Sequence, residues 1–200
     1  MGKEQNKEFE LRGVHHLALV CKDMARTVDF YSNVLGMPLI KTINLPNGMG
    51  QHFFFDMGGG DCLAFFWFTE GSEGQPGISA PRYDDNGSEL ISASGSMNHV
   101  AFEVAPDKID EYHEKLRAKG IKVTEVIDHD ATPEQITFGK SDSSWCRSIY
   151  FFDPDGINLE FSTWTRELGP KDALDTPARD SDRDKFRAME TVPLPGLPIS

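Results

Sequence analysis

Hydrophobic and polar residues alternate strictly over residues 157–162, where Ile157, Leu159 and Phe161 interleave with Asn158, Glu160 and Ser162. A period of two marks a strand with one dry face and one polar face. Just before it, Asp153-Pro154-Asp155-Gly156 puts proline at the second position of a type I turn and glycine at the fourth. Residues 148–161 therefore predict a hairpin. Glu160 falls mid-strand on its polar face, flanked by large apolar neighbours. A carboxylate in that position needs a partner, because an unpaired buried charge is costly.

The same kind of reading organises the rest of the chain. Residues 14–20 (VHHLALV) predict a strand with His16, Ala18 and Val20 on one face and His15, Leu17 and Leu19 on the other. Asp23 suits a helix N-cap. Met24, Val28, Tyr31 and Leu35 then recur at helical spacing, and Gly36 suits the left-handed end. Strand-like runs follow at 38–45, 51–57 and 62–68. Residues 69–96, rich in Gly, Ser, Glu and Asp, predict a long connector. The pattern then restarts. Residues 97–104 (MNHVAFEV) predict a strand with His99 opposite Val100, Phe102 and Val104. Ile109, Tyr112 and Leu116 stripe a helix behind Pro106, and Gly120 follows its end. Residues 121–127 predict a strand, followed by a loop to about Trp145 and the closing hairpin. His16-Leu17-Ala18-Leu19 matches His99-Val100-Ala101-Phe102, and Leu63-Ala64-Phe65 matches Leu159-Glu160-Phe161. The chain thus reads as an internal repeat of strand, helix and three strands. The fold class is α+β, two βαβββ modules over 13–68 and 97–164. A flexible arm (1–12) precedes them, the connector 69–96 joins them, and an extension (165–200) follows. The extension, mixed in charge and rich in proline, reads as a solvated tail, with a lid or dimer strap as the alternative; a short helix is expected within 180–190.

Composition narrows the function. The 200 residues include 38% hydrophobic residues and 14 Phe, enough for a core, and carry a net charge of -12. That acidity argues against a nucleic acid or an anionic membrane as partner. No apolar run approaches a membrane span, and the polar N-terminus lacks a signal-peptide core. Three scattered cysteines, Cys21, Cys62 and Cys146, form no zinc motif and no disulfide framework. A reducing, cytoplasmic setting is expected.

Paired modules that each open on an HHLAL or NHVAF strand resemble the vicinal oxygen chelate superfamily. Its members include glyoxalase I, extradiol ring-cleaving dioxygenases, fosfomycin-resistance thiol transferases and bleomycin-resistance proteins. The run DMARTVDFYSNVLGMPL looks like the first-module helix of that superfamily, and SIYFFDPDGINLEF like its closing hairpin. The resemblance spans roughly residues 13–164. It implies half-barrels with a divalent metal in the cleft between them, and often a homodimer. Carried over position by position, His16, His99 and Glu160 fall on metal-ligand positions, while the fourth position is Ala64, which cannot bind a metal. Two imidazoles and one carboxylate suit Fe(II) best, with Mn(II), Zn(II) or Ni(II) also compatible; with open positions this is the facial set of non-haem iron oxygenases.

Three functions fit that set. An extradiol-type dioxygenase is the first choice, since Tyr150, Asp153-Pro154, Gly156 and Glu160 match part of its closing signature. That signature also places a histidine some residues before the tyrosine, where this chain has Ser141 to Ser144. Tyr150 is then the candidate acid/base group, with His52 and His129 behind it. His52 reads as a strand histidine pairing with a neighbour, and His129 as a solvent-facing loop residue. A metal-dependent lyase, isomerase or thiol transferase of glyoxalase or fosfomycin-resistance type is the second. A binding protein of bleomycin-resistance type, without chemistry, is the third. If Ala64 faces the cleft, alternation turns Cys62, Phe66 and Phe68 with it. An aromatic wall of this kind suits a small aromatic or apolar substrate bearing oxygens. Arg147 is read as either a contact for a substrate carboxylate or a partner for an acidic neighbour.

Overall fold

The computed structural model describes residues 13–83, 90–139 and 141–187. The expected N-terminal arm and the end of the tail lie outside the described residues. Two mixed sheets make up the fold. The first contains β1 (His16–Val20), β2 (Leu39–Asn44), β3 (Gly50–Gly58) and β4 (Asp61–Phe68), in the order β1-β4-β3-β2. Its helix, α1 (Met24–Val28), starts at Asp23, whose Oδ1 accepts from Arg26 N–H at 3.1 Å as an N-cap should. Residues Asp29–Val34 continue as a π-helical turn, and Gly36 ends the segment at φ 79°. The widened turn puts two successive aromatics, Phe30 and Tyr31, into the core.

In the connector, the two-residue strands β5 (Arg82–Tyr83) and β6 (Leu90–Ile91) pair antiparallel. The second large sheet holds β7 (Val100–Glu103), β8 (Ile127–His129), β9 (Ile136–Phe138), β10 (Cys146–Phe152) and β11 (Asn158–Trp164), in the order β7-β11-β10-β8-β9. Its helix is α2 (Ile109–Ala118); Pro106 lies in the turn before it. In the two sheets, β7, β11, β10 and β8 thus follow one another as β1, β4, β3 and β2 do, and β9 adds a further strand beyond β8. In each, the strand bearing the histidine position pairs parallel with the last strand: Ala18 opposes Ala64, and Ala101 opposes Glu160.

The strand expected over 97–104 is only Val100–Glu103, so His99 precedes it, and two further segments differ from the sequence reading. Residues 121–127 do not form one strand: only Val123 bridges to Phe151, and the strand proper begins at Ile127. The expected loop to Trp145 contains β9, folded back on β8. Asp130 organises that hairpin, accepting from Thr132 N–H at 2.9 Å and Thr137 Oγ1 at 2.8 Å. In the tail, α3 (Arg183–Arg187) lies within the span expected to be helical, and the segment from 165 to 185 is mostly exposed.

The apolar faces of both sheets and the two helices share one core. Leu17, Leu19, Phe55, Leu63 and Phe65 belong to it from the first module, and Phe102, Leu116, Ile149, Phe151 and Leu159 from the second. Burying a side chain such as Phe65 or Leu159, both fully inaccessible, contributes about 1.5–3 kcal/mol. Polar ties cross the same seam. Lys22 N–H donates to Asp155 Oδ2 at 3.0 Å, Arg26 donates to the Pro154 carbonyl, and Lys119 donates to the Val34 carbonyl.

The most buried of these ties is Tyr31 Oη, which donates to Asp153 Oδ2 at 3.1 Å. Asp153 opens the hairpin turn, closed by Gly156 N–H on the Asp153 carbonyl at 3.1 Å. Its Oδ1 accepts from Asp155 N–H and Ile157 N–H, both at 2.8 Å. Burial nevertheless pushes its carboxyl up to about 6. An aspartate in the unfolded chain titrates near about 3.9. Between these values the folded chain holds a proton that the unfolded chain releases. The stabilisation is therefore complete below about pH 4 and is lost as pH rises through about 6. Asn keeps an acceptor for the turn amides and stays neutral. Urea unfolding of Asp153→Asn beside the wild type should show the variant gaining relative stability from pH 4 to pH 7, by up to about 3 kcal/mol. A pH-independent difference would remove Asp153 as the source.

Candidate active site on the polar sheet faces

In β1 the alternation is clean: His16, Ala18 and Val20 are exposed, while Leu17 and Leu19 pack on the core. In the second module His99, just before β7, and Ala101 are likewise exposed, while Val100 and Phe102 turn inward. Glu160 lies on the polar face of β11, opposite Tyr150 on β10, and is 4% exposed. His99 Nε2 stands 3.0 Å from Glu160 Oε2. The partnership demanded by a mid-strand carboxylate is thus made. His99 Nδ1 faces Asn98 Oδ1 at 2.6 Å, and a ring nitrogen against an amide oxygen must be the donor.

The electrostatics follow from these contacts. Burial alone would raise the Glu160 carboxyl, but hydrogen bonds from His99 and Ser148 outweigh it, and the group stays below its ordinary range. The bond to Glu160 raises His99 against its own desolvation. Tyr150 is pushed up by burial and by the Glu160 charge, so its phenol keeps its proton.

Tyr150 Oη lies 3.2 Å from His129 Nε2, and its ring meets His99 edge-on at 5.7 Å between centroids. This corrects the expectation for His129. It is no solvent-facing loop residue; it ends β8, pairs with Cys146 and stands on the polar face. Burial lowers its pKa, which favours the neutral imidazole. Only the pairing of β8 with β10 reveals this neighbour, and that pairing has no local signature in the sequence.

His16 is not brought to this group. Its Nδ1 faces His15 Nδ1 at 2.8 Å, and its ring meets Phe54 edge-on at 5.7 Å. Among the described residues no three His, Cys, Asp or Glu side chains gather as a metal site. His16 instead ends an aromatic wall. His52 stacks on Phe66 at 3.6 Å and 4°, and Phe66 on Phe68 at 5.4 Å and 6°. Phe54 and His52 therefore share the face of His16. His52 is structural, as expected, with Nδ1 on the Phe65 carbonyl at 3.1 Å. Arg147 points to the opposite side of β10, where it pairs with Asp110 at 3.2 Å and Asp128 at 3.4 Å. A groove of about 670 Å³ opens between the β3–β4 turn and the β7 edge, beside Met57 and Phe102; His16, His99, Tyr150 and Glu160 do not line it.

Two modules of this topology, with a histidine–carboxylate pair on one polar face, define a glyoxalase-like α+β protein. The family model described as the Glyoxalase/Bleomycin resistance protein/Dioxygenase superfamily matches residues 13–161, and the chain belongs to that superfamily. Relatives diverge in name. The chain is 25% identical over 155 residues to the metallothiol transferase FosB of Lysinibacillus sphaericus (strain C3-41), covering 78% of this chain and 84% of that one. It is 26% identical over 121 residues to the putative ring-cleaving dioxygenase MhqE of Bacillus subtilis (strain 168), covering 58% of this chain and 35% of that one. Among solved structures, a glyoxalase family protein from Enterococcus faecalis superposes with a TM-score of 0.53 at 22% identity, over 76% of this chain and 97% of the other.

The neutral state of His129 is directly testable. In NMR its ring protons should titrate below the ordinary histidine range near about 6.5, and Tyr150→Phe should leave that midpoint low, because burial and not the phenol depresses it. A midpoint at or above the ordinary value would contradict the buried placement.

Proposed function

We propose that this chain is a metal-dependent enzyme acting on a small, aromatic or apolar, oxygen-bearing substrate, and that its reaction is a dioxygenation of the extradiol type. The observation that carries the reading is the group His99, Glu160, Tyr150 and His129 on one sheet face. A carboxylate oxygen and an imidazole nitrogen 3.0 Å apart suit a divalent cation of the Fe(II), Mn(II), Zn(II) or Ni(II) kind, which would take the place of the proton His99 Nε2 shares with Glu160. When bound, such a metal would supply open positions for substrate oxygens and act as a Lewis acid or redox centre. The remaining work falls to side chains. Tyr150 keeps its proton and is placed to donate it to a substrate oxygen beside His99. His129, neutral at 3.2 Å, is placed to exchange that proton with Tyr150. The stacked wall of His52, Phe66 and Phe68 offers a flat apolar surface to a planar substrate. The name of the MhqE relative agrees with this chemistry.

The third donor, His16, reads as coming from a second copy. Within one chain the apolar faces of both modules are consumed in a single core, and His16 stays apart from His99 and Glu160. A homodimer that sets the His16 face of one copy against the His99 face of another would complete the set.

A second reading, a Lewis-acid thiol transferase, is favoured by the FosB relatives, which cover 78% of the chain. Against an anionic substrate stands Arg147, which is spent on Asp110 and Asp128 on the helix side.

Elemental analysis of protein purified without oxygen tests the reading. Near-stoichiometric iron that is lost in His99→Ala and Glu160→Gln, with O₂ uptake on catechols, is the expected result. Tyr150→Phe should keep the metal and lose about 10²–10⁴-fold in rate. Zinc, manganese or nickel without O₂ uptake would move the assignment to the transferase. No metal, even after soaking in divalent ions, would overturn it. Mixing His16→Ala with His99→Ala, each metal-poor alone, should restore part of the bound metal if the sites are shared between copies.

A further inference from the structure

The two oxygens of Glu160 meet different surroundings. Oε2 faces His99 at 3.0 Å. Oε1 accepts a hydrogen bond from Ser148 Oγ. Ser148 is wholly buried, with Ser162 Oγ at 3.3 Å and Cys146 Sγ at 3.6 Å behind it. Cys146 Sγ in turn lies 3.0 Å from Ser162 Oγ. Three small polar groups thus form a floor beneath one carboxylate oxygen.

The repeat supplies an internal control. Strand register sets Tyr150 opposite Glu160 and Ser148 opposite Ser162 in the second module. In the first module it sets Phe54 opposite Ala64 and His52 opposite Phe66. Where the carboxylate is replaced by Ala64, the two floor positions hold a π-stack at 3.6 Å. Hydroxyls occupy the floor only in the module that carries the carboxylate. A floor needed merely to fill space would serve equally well as aromatic packing, as the first module shows.

We propose that Ser148, backed by Ser162, is a positioning residue: it ties down Glu160 Oε1 so that only Oε2 is presented beside His99. The proposal rests on the metal reading above. Fixing one oxygen selects a single rotamer, so binding need not order a free carboxylate.

The test uses the full chain and Mn(II), followed by the EPR signal of the free ion, with Ser148→Ala, Ser148→Thr and Ser162→Ala. Loss of a partner that orients a metal ligand lowers metal affinity about 10–100-fold. Ser148→Ala should lose at least tenfold, Ser162→Ala less, and Ser148→Thr, which keeps the hydroxyl, should stay near wild type. A second readout needs no metal: the carboxyl ¹³C resonance of Glu160, assigned by its absence in Glu160→Gln, should move in Ser148→Ala and hold in Ser148→Thr. Wild-type affinity and an unmoved resonance in Ser148→Ala would overturn the proposal. So would equal losses in the Ala and Thr variants with matching drops in melting temperature, the mark of a packing role. If the wild type takes up no divalent ion, the metal reading fails, and the carbon resonance still decides whether Ser148 holds the carboxylate.

Discussion

A carboxylate that is 4% exposed in the middle of a sheet must have its charge answered, and the second module is arranged around doing so. His99 meets one oxygen of Glu160 and Ser148 the other, while Tyr150 lies across the strand pair with His129 behind it. Glu160, Ser148, Tyr150 and His129 are set by strand register, while His99 directly precedes β7. Ladder hydrogen bonds therefore set the spacing of these strand-borne groups, and Glu160 and Ser148 are kept out of water. The same burial that makes the charge costly keeps the Tyr150 phenol protonated and the His129 imidazole neutral. The Glu160 charge adds to burial at Tyr150 and opposes it at His129, so the protonation state of each group follows first from its own burial.

The repeat divides labour. β1, β4, β3 and β2 correspond in order to β7, β11, β10 and β8, yet equivalent positions on the two polar faces differ in kind. Glu160, Tyr150, Ser148 and Ser162 in one correspond to Ala64, Phe54, His52 and Phe66 in the other. The first face carries His16 and Cys62 beside the aromatic wall of His52, Phe54, Phe66 and Phe68. The second carries the buried carboxylate with the hydroxyl, phenol and imidazole groups around it.

Much of this was legible in the sequence where a local rule applied. Period-two alternation assigned Leu17 and Leu19, Val100 and Phe102, and Leu159 and Phe161 to the core side, and left His16, His99 and Glu160 on the other. Asp153-Pro154-Asp155-Gly156 announced the hairpin turn. What escaped depended on contacts distant in sequence. β9 has only three residues, too few for alternation to show, and Asp130 shapes its hairpin through Thr132 and Thr137. His129 reached Tyr150 through pairing of β8 with β10, and Tyr31 reached Asp153 across the module boundary. The separation of His16 from its expected partners was equally hidden, because matched positions in a repeat say which residues are equivalent and nothing of how the two copies are turned.

That last point bears on how the site is completed. The core joins both modules through their apolar faces, and the ties from Lys22, Arg26 and Tyr31 to the turn at 153–155 lock the join. Folding the His16 face onto the His99 face within one chain would require breaking that core, with Phe55, Phe65, Ile149, Phe151 and Leu159 all nearly inaccessible in it. At about 1.5–3 kcal/mol for each such side chain, the loss would be comparable to the whole stability of an ordinary domain. Completion by a second copy, as proposed above, would leave that core intact.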